Sequence, residues 1–271
     1  MILGVTGSPG AGKSTLCDQI IATLRQEGKT VGVIAVDPTS PYTGGAILGD
    51  RIRMQRHHAD TGVFIRSMAT RGWLGGLASA TTEMTMLMDA AGFDVVLVET
   101  VGVGQDEVEI ARLADVTLVV LVPGMGDDVQ AIKAGIMEIA DIFVINKSDR
   151  EGAERVEREI RALQSLATRT RDDRWIPPIV KTVASEGVGT EELAKAIADY
   201  EAYLKKENLI LKKDVENWQE RLVEMLRDAM LEKARSQMDG GSLERYAAEI
   251  AEHKRDPYSL VEEIVRGAER N

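Results

Sequence analysis

Residues 7–14 read Gly-Ser-Pro-Gly-Ala-Gly-Lys-Ser, a complete G-x-x-x-x-G-K-[ST] string. Its chemistry is the capture of anions. Gly7, Gly10 and Gly12 let backbone N–H groups close on a polyphosphate, and a helix starting here adds its dipole. Lys13 has the reach for the β- and γ-phosphates, and the Ser14 hydroxyl suits Mg²⁺. Asn146-Lys147-Ser148-Asp149 is an N-K-x-D string. The Asp149 carboxylate can accept two hydrogen bonds, from guanine N1–H and the 2-amino group, while the Lys147 stem covers the base. Adenine lacks both donors in that arrangement, and a site built for hydrogen bonds rejects a ligand without them. The pair of strings predicts GTP, with GDP as product, rather than ATP. Thr182-Val183-Ala184-Ser185 either completes the base pocket through the Ala184 N–H or is a plain strand-end loop.

A third group is acidic. Glu99-Thr100-Val101-Gly102-Val103-Gly104-Gln105 follows the apolar run Val95–Val98, in the place of a Walker B strand and D-x-x-G switch, with glutamate for the usual aspartate. A carboxylate here would hold Mg²⁺ directly or through water, and Gly102 would let backbone approach the γ-phosphate. Asp37 closes the second apolar run and Asp50 follows in the next loop. Both belong to the same end of the sheet, although Asp37 could instead cap the turn Pro38-Thr39-Ser40-Pro41. Gln105 could orient a water or simply begin a helix. Gly124-Met125-Gly126-Asp127-Asp128 reads by itself as a helix start whose acids complement the dipole. His57 and His58 adjoin Asp60, but adjacent histidines diverge on a helix, so no chelating pair is expected. Met84, Met86 and Met88 read as core filling.

Positioning these residues requires a sheet. Apolar, β-branched runs predict strands at 2–6, 31–36, 63–66, 94–99, 116–122, 142–146 and 179–182. Helical patterns lie near 14–27, 76–91, 129–139, 153–168 and 190–205. Strands alternating with helices imply right-handed crossovers and an α/β, doubly wound, mainly parallel sheet over 1–205. Ligands of such sheets bind beyond the carboxyl ends of the strands, where every string above falls. From 206 to 271 the pattern turns helical. Val215, Trp218, Leu222, Met225 and Ala229 recur at three-and-four spacing on a charged helix, and Asp256-Pro257 is a helix start. This tail is too thin to hold a core of its own. It must wrap the first domain or pair with another chain, and a homodimer joined through it is the expectation.

Composition narrows the class. The 271 residues carry a net charge of −11, against a nucleic-acid partner, which calls for a basic footprint. No run of about 18 apolar residues suggests a membrane span, and the first residues read as strand rather than signal peptide. A single cysteine, Cys17, rules out an intramolecular disulfide, fits a cytoplasmic setting, and reads as a small buried residue.

Taken together, the strings resemble the MeaB/ArgK family, SIMIBI-class GTPases that act as chaperones of adenosylcobalamin-dependent acyl-CoA mutases such as methylmalonyl-CoA mutase. The resemblance is carried by residues 7–15, by V-D-P-T-S-P-Y-T-G-G-A-I-L-G-D-R at 36–51, by R-S-M-A-T-R-G-W-L-G-G-L at 66–77, by E-T-V-G-V-G-Q at 99–105 and by N-K-S-D. It implies a GTPase that gates cofactor loading into a B12-dependent mutase and protects or repairs that enzyme. It implies a phosphate cradle of Ser8, Pro9, Gly10, Ala11, Gly12, Lys13, Ser14, Thr15 and Gly102, and a base pocket of Asn146, Lys147, Asp149, Ala184 and Ser185. Mg²⁺ would sit near Ser14, Asp37, Asp50 and Glu99. A third switch matches 123–133 and adds Asp127, Gln130 and Lys133 to Lys13, Glu99 and Gln105 as candidates for the hydrolytic step. No D-x-H-x-x-G string occurs, so cobalamin is expected on the partner. Ser8 stands where deviant-Walker relatives carry a lysine that acts across a dimer, so activation by that lysine is not expected. Two other functions remain open: a nickel-delivery GTPase of the same class, which normally needs Cys/His ligands, and a small-molecule kinase.

Overall fold

The apolar runs build one sheet. The computed structural model describes residues 1–37, 54–69, 79–102, 106–124, 137–167, 175–236, 238 and 241–269. Its strands are β1 (Ile2–Gly7), β2 (Val31–Asp37), β3 (Val63–Ala69), β4 (Val95–Glu99), β5 (Val116–Leu121), β6 (Ile142–Asn146) and β7 (Ile179–Thr182). All pair in parallel, in the order β3-β2-β4-β1-β5-β6-β7. The chain winds to one side of β1 and then to the other, so the carboxyl end of β1 is the topological switch point.

Helices follow the strands: α1 (Lys13–Gln26), α2 (Ser79–Ala90), α3 (Asp106–Leu113), α4 (Ala153–Ala167) and α5 (Thr190–Lys206), with a short helical segment at Met137–Ile139. Alternate strand residues supply different faces. Leu3, Val5, Val33, Leu97 and Leu118 pack with Leu16 and Ile20 of α1 and Leu193 and Ile197 of α5. Ile34, Val36, Val96 and Val98 meet Met88 of α2 and Ile110 of α3, while Phe143 and Ile145 meet Val156 and Ile160 of α4. Each such aliphatic side chain contributes about 1.5–3 kcal/mol when fully buried. Cover on both faces is why the central strands are continuous apolar runs and not alternating ones.

The helix α3 was not expected. Its eight residues are too few to display a period, and it is held by a close approach: a Cβ on Gly4 would lie 2.7 Å from Ile110 Cγ1. Strand β3 runs to Ala69, three residues past the expected end at 66. The expected helix near 129–139 falls mostly outside the described residues.

The amino end of the sheet carries a repeated device. Asp94, Asp115 and Asp141 each precede a strand and accept a hydrogen bond from a backbone N–H on the neighbouring strand or just before it. Asp94 takes Thr30 N at 2.7 Å, Asp115 takes Ile2 N at 2.7 Å, and Asp141 takes Thr117 N at 2.9 Å.

The chain forms two compact units, Met1–Ile210 and Leu211–Asn271. The second contains most of α6 (Leu209–Ser236), then α7 (Ser242–Ala251) and α8 (Pro257–Glu269). Asp256 caps α8 by accepting Ser259 N at 2.8 Å, as the Asp-Pro pair foretold. Arg255 joins α7 to α8 by pairing with Glu249 and Glu263. Among the described residues of this unit, Ser242 and Leu260 alone are buried. Leu211, Val215, Trp218, Leu222, Met225 and Leu226 of α6 are all exposed.

Candidate functional site

The phosphate loop joins β1 to α1 at the switch point. Gly7, Gly10 and Gly12 all have positive φ, at 136°, 80° and 86°. A Cβ at Gly7 would run into the Val120 carbonyl, and one at Gly12 would meet Asn146 Nδ2 at 2.5 Å. Lys13 and Ser14, the first residues of α1, are buried, as is Ala11. Pro9 and Gly10 are exposed, and Ser8, Gly12 and Thr15 are half-buried. Lys13 Nζ donates to Gly7 O at 2.7 Å, Ser8 O at 3.1 Å and Val101 O at 3.1 Å. The ammonium thus ties the loop to the backbone after β4. There Gly102, at φ 84°, packs so tightly on the Gly7 carbonyl that a side chain is excluded.

The acidic group is built by strand ends. Glu99 closes β4, pairs in register with Val5 and Ala35, and is 4% exposed. Its Oε1 accepts a 2.7 Å hydrogen bond from Ser14 Oγ. Asp37 closes β2, also buried. Among the described residues no three His, Cys, Asp or Glu side chains form a cage. Two carboxylates and a hydroxyl, all hard oxygen donors, instead fit Mg²⁺ held jointly with substrate phosphate and water. Asp50, Gln105, Asp127, Gln130 and Lys133 lie outside the described residues.

The base-side loops meet at Asn146. Its Nδ2 donates to Ala11 O at 2.8 Å, and its Oδ1 accepts from Thr182 Oγ1 and Ala184 N, each at 3.1 Å. One buried amide therefore joins the phosphate loop, the end of β6 and the loop after β7. Ala184 N–H, for which a base contact and a plain strand-end loop were both open, donates to Asn146 Oδ1 here. Thr182 received no role from the sequence; a threonine closing a strand two residues before the expected base contact was the available signal. Lys147 has φ 55°, a strained left-handed value for a side-chain-bearing residue, and its Nζ donates to Gly10 O at 2.7 Å. Asp149 and Ser185 are exposed at this rim.

Outside the site, His57 pairs with Asp18 and Asp60 with Arg25, so the His57–Asp60 neighbourhood in sequence is not a shared ligand set. Cys17 is fully buried, and Met84 and Met88 line the core.

Residues 1–239 match the family model described as methylmalonyl Co-A mutase-associated GTPase MeaB. The chain belongs to the MeaB family. It is a P-loop GTPase. A relative from Pyrococcus abyssi is 50% identical over 266 residues, covering 98% of this chain and 82% of its own length. GTPase ArgK of Escherichia coli is 45% identical over 204 residues, 74% of this chain and 62% of that one. A crystal structure described as a LAO/AO transport system kinase superposes with TM-score 0.70 at 29% identity, covering 99% of this chain and 82% of that one. The hydrogenase maturation factor HypB of Archaeoglobus fulgidus shares the fold with TM-score 0.53 at 21% identity, over 73% of this chain and 89% of that one. Among the described residues no helix is long and apolar enough to cross a membrane.

Proposed function

We propose that this member of the MeaB family uses GTP hydrolysis to gate adenosylcobalamin loading into a B12-dependent acyl-CoA mutase, and to protect or repair that enzyme. The observation that carries the reading is the family match over 1–239, whose description couples the GTPase to methylmalonyl-CoA mutase. Cobalamin itself would be held by the partner.

At the site, Asp149 selects guanine and Lys147 covers the base. Asn146 holds both base loops against the phosphate loop, with Ala184 and Ser185 at its edge. Ser8 to Ser14 and Thr15 wrap the phosphates, and Gly102 admits backbone to the γ-phosphate. Ser14, Asp37, Glu99 and Asp50 would hold Mg²⁺ directly or through its waters, and the ion would supply charge stabilisation for the phosphoryl transfer. Water attacks the γ-phosphorus, the bond to the β–γ bridging oxygen breaks, and GDP and phosphate leave. Lys13 meets the charge that develops, by giving up carbonyl partners for phosphate oxygens. Gln105, Asp127, Gln130 and Lys133 are the candidates that a bound partner would bring to bear on the attacking water.

The tail is proposed as the arm of a homodimer. The apolar face of α6, from Leu211 through Leu226, is exposed. Exposure of that extent on a charged helix supports this reading.

The deciding experiment is GTP turnover with and without purified B12-dependent mutases. The expected result is slow turnover alone and a rise of about tenfold or more with the cognate mutase, since GTPases lacking a positioned stabilising group are slow until a partner supplies it. Lys133→Ala should remove most of the stimulated part and little of the basal part. The kinase reading draws on the description of the LAO/AO relative, and a phosphorylated small-molecule product would establish it in place of this one. The nickel reading needs a Cys/His site, yet Cys17 is a core residue; nickel titration of the protein is its test.

A further inference from the structure

One charged cluster among the described residues is not used by the nucleotide reading. Asp18 lies on α1, one turn beyond Ser14 and on the same face. Its carboxylate lies against two side chains, Arg56 and His57, from the stretch that follows residues 38–53. Arg56 Nη2 is 2.7 Å from Oδ2, and His57 Nε2 is 3.0 Å from Oδ1. The Asp18 carbonyl also accepts from Arg56 Nη2 at 2.5 Å. This is not a loose surface pair. His57 is 6% exposed and the adjacent Met54 is fully buried in the core against α1.

A second clasp repeats the arrangement with its signs reversed. Arg25, seven residues along the same face of α1, grips Asp60 in two parallel bonds, Nε to Oδ2 at 2.8 Å and Nη2 to Oδ1 at 2.9 Å. The Arg25 hydrogen bond holds the Asp60 carboxyl below its ordinary pKa. The helix thus offers Asp18 and then Arg25, and the facing stretch offers Arg56 and then Asp60. Only one register satisfies both clasps, because a reversed or displaced pairing opposes like charges. Along the helix axis the first clasp is about 6 Å from Ser14 and the second about 16 Å.

We propose that Asp18 is a positioning residue for the phosphate and Mg²⁺ site. By holding Arg56 and His57 on α1, it sets where the chain leaving Asp37 rejoins the helix that carries Lys13 and Ser14. This rests on the reading of Ser14 and Asp37 as Mg²⁺ ligands. A shift of about 1 Å in a reacting constellation costs about a hundredfold in rate. The near clasp is therefore felt in the chemistry, and the far clasp acts on stability alone. The far clasp is a control built into the same helix.

The test measures GTP hydrolysis by the full chain against Mg²⁺ concentration, GDP affinity in EDTA, and Tm. Asp18→Asn should raise the half-saturating Mg²⁺ about fivefold and lower kcat about tenfold, with GDP affinity within about twofold of wild type. Asp60→Asn should lower Tm comparably and leave both kinetic values within about twofold. Asp18→Glu, which keeps the charge, should restore most of kcat. If Asp18→Asn does not fold, Arg56→Gln carries the same expectations, since that side chain is 46% exposed and leaves the core intact. The proposal is overturned if the variants of the two clasps lose equal Tm and both keep the wild-type Mg²⁺ profile. Wild type hydrolysing GTP equally fast in EDTA would overturn the Mg²⁺ reading, and this inference with it.

Discussion

At the carboxyl end of the sheet the chain turns through left-handed residues, and its polar side chains bond to carbonyls of other loops. At the amino end it is pinned by aspartates. Lys13, Asn146 and Lys147 all donate to phosphate-loop carbonyls, at Gly7, Ala11 and Gly10 respectively. The Lys13 bonds can be exchanged for phosphate oxygens without unfolding anything. Asp94, Asp115 and Asp141 instead accept short bonds from backbone N–H groups at or next to the start of a strand. Carboxylate acceptors make the stronger class of hydrogen bond. The contrast places adaptability at one end of the strands and register at the other. Substitutions at the two ends should therefore separate activity from stability.

The largest effect is expected from Glu99→Ala. Ser14 loses its buried partner, and the carboxylate is gone from where charge develops, so turnover should fall about a hundredfold while GDP affinity changes little. Unchanged turnover at saturating GTP would make Glu99 a structural residue and blur the contrast. Next comes Asp149→Asn. The amide reverses one hydrogen-bond role, so GTP binding should weaken by about 1–3 kcal/mol or more, and xanthosine-nucleotide binding should improve. Asp149 is exposed, so Tm should not move. Titration showing equal GTP affinity in the two proteins would remove the guanine assignment.

The ends also differ in how far they can be read in advance. The carboxyl end is written in contiguous strings, because a loop wrapped round a phosphate must place its glycines at set intervals. The seven strands were legible for a related reason: burial on both faces leaves unbroken runs of Val, Ile and Leu. The aspartate pins were not legible. Each acts on a residue 24 to 113 positions away, and an aspartate before a strand looks like any turn residue. The Asp18 clasp was hidden for the same reason, since its partners lie 38 and 39 residues on. Asn146 was recognised as part of its string, but its role as a bridge between three loops depends on where β6 and β7 end. The helix α3 escaped because its anchor is the missing side chain of Gly4, which no periodicity records.

Asp141→Ala should do at the amino end what Asp149→Asn does not. It leaves Thr117 N–H without its acceptor and removes the side-chain hydrogen bond between Asp141 and Tyr200. The expected loss of stability is about 1–3 kcal/mol, the cost of stranding a partly buried donor. Urea unfolding measures it, and kcat and KM for GTP should stay at wild-type values. A kinetic defect without a shift in the unfolding midpoint would contradict the division between the two ends.

The smallest effect is a pH signature at Asp94. Its carboxylate accepts from both the backbone N–H and the hydroxyl of Thr30, at 2.7 and 2.8 Å. These bonds hold its pKa below the ordinary value of 3.8. A folded-state pKa below the unfolded one means that the unfolded chain binds more protons in that window, so stability rises with pH there. The contribution is fully present above about pH 4 and is lost as pH falls through the folded-state pKa. Asp94→Asn should therefore lower Tm by a constant small amount at neutral pH. The gap to wild type should close as the solution is acidified below the unfolded value. Because Thr30 sits where β2 begins, that closing would mark the pin between β4 and β2 letting go. A gap that stayed constant down to pH 2 would mean that the carboxylate contributes through its shape and not its charge.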